Sequence, residues 1–157
     1  MSDNHKLMRS RIVGTNLIKK SIRMGYNDFG DFYYAHGQLE EASKNYDCTR
    51  NYCTTTKHII HMCLNAILVN IEMGQFTHVT SYVSKAGQSQ DALDVVTVAK
   101  LCCAVGLANL EAKKHKLAAR KLHNNNKKSK RYVIFQLANF EKSKECRLAM
   151  ELGYGLD

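Results

Sequence analysis

Tyr26–Tyr46, YNDFGDFYYAHGQLEEASKNY, decides the fold. Tyr26, Phe29 and Tyr33 recur at intervals of three and four, so a helix puts them on one face. Gly30 sits within that face and, lacking a Cβ, lets a second helix come close. Gly37 marks the turn, because glycine enters the left-handed region that ends helices. Beyond it, Leu39, Ala42 and Tyr46 repeat a helical spacing. Ala42 is the small residue where the second helix meets the first, and Tyr46 fills the space one turn further on.

Outside this stretch the same template recurs. Gly74-x-Phe76-x-x-Val79-x-x-x-Val83 repeats Gly37-x-Leu39-x-x-Ala42-x-x-x-Tyr46. A third copy reads Cys102-x-x-Val105-Gly106, then His115-x-x-Ala118-x-x-x-Leu122. The turn positions Gly37, Gly74 and Lys113 stand 37 and 39 residues apart. That is slightly longer than the roughly 34 residues of a tetratricopeptide (TPR) hairpin, with Tyr26 in place of the usual first Trp. The expected fold is all-α: a right-handed superhelix of about three TPR-like helical hairpins, with an irregular basic C-terminal tail. Its repeat-packing residues are Tyr26, Phe29, Gly30, Tyr33, Gly37, Leu39, Ala42, Tyr46, Gly74, Phe76, Val79, Val83, Gly106, Ala118 and Leu122.

The local signals divide the chain into a flexible N-terminus over 1–13, a repeat domain over 14–123 and a divergent basic tail over 124–157. Thr15 reads as the N-cap of a first helix that carries Leu17, Ile18 and Ile22 and stops at Met24-Gly25. The second helix of the first hairpin reaches about Tyr52, and Thr54-Thr55-Thr56 breaks the chain. A helix over Lys57–Met73 follows, with Ile60, Cys63, Leu64, Ile67, Leu68 and Ile71 as its stripe. Gln75–Lys85 is its partner, and 86–90 is a loop. Asp91 suits the start of the next helix, which runs to about Ala112 through Leu93, Val96, Cys103, Leu107 and Leu110. Lys116–His123 is a short helix. In the tail, Tyr132–Leu152 has room for one helix using Val133, Leu137 and Phe140, although Tyr132–Phe135 also reads as a short strand.

A chain of 157 residues is one domain by length, with enough core to do without staples. It has no Pro, which suits a run of helices. Six Cys, at 48, 53, 63, 102, 103 and 146, give no metal-ligand ladder. The N-terminus MSDNHKLMRSR is polar and lacks the apolar segment of a secretory leader. Reduced thiols in an intracellular protein are therefore expected. No apolar run approaches the roughly 18 residues of a membrane span. The net charge of +9 is uneven: between Glu111 and Arg147 twelve Lys/Arg face three Glu, and elsewhere the signs cancel.

Chemically, His58-x-x-His61-x-Cys63 has ligand-like residue types, but Cys63 points away from the face the two histidines share. Zinc needs three or four converging ligands, so packing or surface histidines are the expectation. Cys102-Cys103 cannot both face one site from adjacent helical positions; they read as core thiols, with no base paired to either. The glycines are too far apart for a phosphate loop. Tyr26, Phe29, Tyr33 and Tyr34 read as repeat core ahead of base-stacking platforms. Lys127, Lys128, Lys130 and Arg131 form a basic interaction patch that reads as a solvated loop, an import signal or a nucleic-acid contact. No cofactor, metal, small-molecule substrate or membrane is expected.

Three segments carry a family resemblance. NLIKKSIRMGYNDFGDFYY (Asn16–Tyr34), YCTTTKHIIHMCLNAILVNIEMGQFTHVTSYVSKA (Tyr52–Ala86) and KLAARK (Lys116–Lys121) resemble the subunit-one family of the constitutive photomorphogenesis 9 (COP) signalosome in its plant form. The resemblance covers Thr15 to Leu122 and extends, less strongly, to the paralogous proteasome-lid regulatory subunit. From about Asn124 it lapses, and His115 and Leu122 stand where the family tends to carry aromatics. It implies helical repeats that lead into a PCI assembly domain, before which this chain stops. It implies a non-enzymatic scaffold of a complex that removes Nedd8 from cullins and so regulates ubiquitin-dependent degradation, with other subunits as partners. The alternatives are a basic helical-repeat nucleic-acid-binding module and a truncated vestigial fragment that assembles into nothing. Three hairpins are about the minimum for a stack, so the chain alone is expected to be marginally stable or partner-dependent.

Overall fold

The computed structural model describes residues 2–89 and 93–123. Among them are six α-helices, one 3₁₀ turn and no strand. The helices are α1 (Ser2–Ala35), α2 (Leu39–Cys48), α3 (Thr56–Glu72), α4 (Phe76–Gly87), α5 (Val95–Glu111) and α6 (His115–His123). The 3₁₀ turn, Thr49–Tyr52, follows α2 directly. The fold is all-α and built of helical hairpins: α1/α2, α3/α4 and α5/α6. The basic patch at Lys127, Lys128, Lys130 and Arg131 and the rest of 124–157 lie outside the described residues, as does Asp91.

The three hairpins turn in one way. Gly37, Gly74 and Lys113 have φ of 73°, 72° and 58°. The amide of each donates to the carbonyl three residues back: Tyr34 at 3.0 Å, Ile71 at 3.0 Å and Leu110 at 2.9 Å. The next amide donates five residues back: Gln38 to Tyr33 at 2.9 Å, Gln75 to Asn70 at 2.9 Å, Lys114 to Asn109 at 2.8 Å. This paired arrangement satisfies the last carbonyls of the first helix through one left-handed residue. The second helix then starts at once. Its first bonds run from Ala42 to Gln38, Val79 to Gln75 and Ala118 to Lys114, at 3.0, 3.2 and 3.0 Å. Ala42, Val79 and Ala118 are each 0 % exposed, so the small-residue position is buried in every copy.

The chain divides into two compact units, Met1–Ala66 and Ile67–Asp157, with the division inside α3. In the first unit Tyr46 of α2 lies on Gly30 of α1, and Tyr26 stacks on Tyr52 with ring centroids 5.9 Å apart. In the second, Cys103 and Leu107 of α5 form a core against which Ile71, Phe76 and Leu110 pack.

Five boundaries differ from the sequence expectation, one of them the loop given to 86–90: α4 runs on through Gly87, with Ala86 buried. α1 is one helix of 34 residues that passes through Met24-Gly25 without stopping. A Cβ at Gly25 would meet nothing within 4 Å, so this glycine answers no packing demand, and a long helix absorbs its cost of roughly 1 kcal/mol. Thr15 caps nothing: it lies inside α1, its hydroxyl donating back to the Arg11 carbonyl at 2.8 Å. Residues 2–13, placed ahead of the first helix, are its first turns here. The cap of α5 is Asp94, whose carboxylate accepts from the Thr97 amide at 2.7 Å. That bond holds the Asp94 carboxyl below its ordinary pKa. Val96, expected in the buried stripe, is exposed in the first turn of α5.

Candidate interaction surface

The repeat-packing residues fall into three groups. Gly30, Ala42, Tyr46, Val79, Gly106 and Ala118 are buried. Tyr26, Tyr33, Leu39, Phe76 and Val83 are half-buried, and Gly37 and Gly74 stand exposed at their turns. Phe29 departs from the pattern at 59 % exposed. Helical steps of about 100° set Tyr26, Gly30 and Tyr33 within one narrow stripe and leave Phe29 at its edge. The side chain of Leu122 lies outside the described residues.

Tyr46 has the most specific setting. A Cβ built on Gly30 would stand 2.6 Å from Tyr46 Cδ1, so the ring occupies the space an alanine would need. Its hydroxyl donates to Asp31 Oδ1 at 2.6 Å. Burial raises the phenol pKa well above its ordinary 10.0, and the bond to Asp31 raises it further. This pair lies one helical turn from the Tyr26–Tyr52 stack, so α2 and the 3₁₀ turn are both seated on one stripe of α1.

The groups with chemical reactivity are placed as structural ones. Cys103 is 2 % exposed, and burial, then its neighbour Cys102, pushes its pKa to about 11. A thiol held protonated is not a nucleophile. Cys63 is buried, while His58 is half-buried and His61 exposed. His58 lies beside Thr54, whose amide donates to its Nδ1 at 3.4 Å, and its pKa is lowered by burial and then by Arg23 and His61. Among the described residues no group of three or more His, Cys, Asp or Glu side chains converges to hold a metal ion. No described helix is long and apolar enough to cross a membrane. In the second unit an open groove of about 440 Å³ runs along Gly74–His78 and Ala108, Glu111 and Ala112. Glu111 and His78 are its titratable groups.

The first part of α1 offers a different surface, which the sequence reading missed. Lys19, Thr56 and Val95 each stand eighteen residues before their own turn residue. α3 and α5 begin there, at Thr56 and Val95. In α1 the residues before Lys19 are therefore an arm added to the repeat helix. On that arm Met8, Ile12, Val13, Leu17 and Ile18 are 58–68 % exposed.

The comparisons with known proteins agree with one another. The sequence matches the family described as 26S proteasome subunit RPN7 over residues 6–140, beginning before Thr15 and running past Leu122 into the basic segment. Over 107 residues it is 75 % identical to COP9 signalosome complex subunit 1 of Arabidopsis thaliana, covering 68 % of this chain and 24 % of that protein. It is 43 % identical over 118 residues to subunit 1b of Drosophila melanogaster, covering 71 % and 22 %. With subunit 1 of Emericella nidulans it shares 38 % identity over 101 residues, covering 62 % and 20 %. The chain thus spans a quarter or less of the length of these relatives. With the three matching turns, the buried small residues and a family match over most of its length, the chain belongs to the RPN7 family of proteasome-lid and signalosome subunits.

Proposed function

We propose that this chain is a non-catalytic scaffold module of a COP9 signalosome-like complex, engaging other subunits and supporting removal of Nedd8 from cullins. The observation that carries the reading is the 75 % identity to a signalosome subunit 1 over 107 residues. The geometry is consistent with it. Helical hairpins joined by short turns present rows of side chains for protein contact, and the core thiol Cys103 is spent on packing. The repeat domain proposed is 14–123, and the proposed location is cytoplasmic and nuclear.

The test is affinity capture of plant-type extract on the purified full chain, read by mass spectrometry. Recovery of signalosome subunits supports the scaffold. Recovery of none leaves a fragment that assembles into nothing.

A further inference from the structure

The stripe of α1 that seats α2 continues along the arm. Stepping back from Gly30 and Tyr26, the positions on that stripe are Ile22, Lys19, Thr15, Ile12 and Met8. Their spacing alternates four and three, the spacing of a coiled-coil seam. Gly30 and Tyr26 have partners from this chain, in Tyr46 and Tyr52. Further along, Ile12 is 60 % and Met8 68 % exposed, Thr15 and Lys19 are exposed, and Ile22 is 37 % exposed.

The charge of the arm says what fits on it. Over residues 8–22, the arm and the turn that joins it to the repeat helix, the sequence has four Lys/Arg, at 9, 11, 19 and 20, and no Asp or Glu. Lys19 lies within the seam itself, where a polar residue fixes register and calls for an opposite charge across the interface. We propose that residues 8–22 of α1 form a docking seam for one acidic amphipathic helix of another protein. Its apolar residues cover Met8, Ile12 and Ile22, and a carboxylate meets Lys19.

Charge argues against the other occupants. Two copies of this arm bring like charges together along their whole length. A membrane surface needs apolar and basic residues on opposite faces of the helix. Here Lys19 interrupts the apolar stripe, while Val13, Leu17 and Met24 face away from it. The geometry the fold already uses on this stripe is a second helix. The proposal concerns α1 alone and does not depend on membership of a signalosome-like complex.

The test is fluorescence anisotropy with the full chain and a labelled synthetic helix of about three heptads, Leu in the seam and Glu on its flanks. The control is the same peptide with Lys for Glu. The Glu peptide is expected to bind, the Lys peptide is not, and binding weakens about tenfold between ~50 and ~500 mM salt. Ile12→Asp weakens it about tenfold or more. Arg11→Glu, Lys19→Glu and Lys20→Glu together leave one cation against three carboxylates over residues 8–22 and reverse the preference, so that the Lys peptide now binds better. Because that exchange produces a gain, misfolding cannot imitate it. Failure of the Glu peptide to bind overturns the proposal, as does equal binding of both peptides. So does a dimer in sedimentation velocity that Ile12→Asp dissolves, or co-sedimentation with phosphatidylserine vesicles while the Glu peptide is ignored. Signalosome capture that fails while the Glu peptide binds would defeat the scaffold reading alone.

Discussion

At Gly30 a single hydrogen decides how closely α1 and α2 approach, because the Tyr46 ring stands where a methyl group would be. Gly30→Ala must push that ring aside and with it the bond to Asp31. The expected cost is about 2–3 kcal/mol in denaturant unfolding. Tyr46→Phe keeps the ring seated and loses only the hydroxyl, so it costs less, about 1 kcal/mol. The pH dependence follows from the raised phenol pKa. In the folded chain the hydroxyl stays protonated past its ordinary 10.0, whereas the unfolded chain releases the proton there. The stabilisation is complete below about pH 10 and is lost as pH rises above it. Stability measured from pH 8 to 11 should fall more steeply for the native protein than for Tyr46→Phe.

At the scale of the elements, the turns were the most legible feature. A left-handed residue is needed at each, and glycine supplies it at Gly37 and Gly74. Lys113 carries no such mark and is readable only from its spacing. Its Cβ makes a φ of 58° costly. Lys113→Gly should therefore stabilise the third hairpin by about 1 kcal/mol, and Gly37→Ala should destabilise the first by a similar amount, both read from melting curves. Asp94→Ala should lower the melting temperature at neutral pH, whereas Asp94→Asn keeps an acceptor for the Thr97 amide and should retain most of it. As pH falls through the depressed pKa of Asp94, the native cap weakens and its advantage over Asp94→Ala should shrink, whereas the Asp94→Asn cap does not titrate. The helix ends were less legible for a physical reason. A glycine inside a helix and one that stops it are the same letter, so Met24-Gly25 reads as an end although α1 runs through it. Asp91 and Asp94 offer the same side chain to one helix start, and only the backbone shows that Asp94 makes the bond. The seam on the arm is hidden in the bulk charge: its four cations are balanced by acids elsewhere, so only a segment-by-segment count exposes it.

For the molecule as a whole, hairpins stabilise one another through their neighbours, and three are close to the minimum. The purified chain should melt below about 65 °C in dilute solution, and a saturating helix partner should raise that temperature. A sharp transition well above it would mean that the chain needs no partner. Cys103 supplies a second readout. Its thiol is deep in the α5 core with a pKa near 11, whereas Cys102 beside it is partly accessible. An alkylating reagent at neutral pH should consume Cys102 within the lifetime of the native state and reach Cys103 only when that core parts. The lag between two adjacent sulfurs is then a clock for breathing at the Ile67–His123 end, one that requires no label.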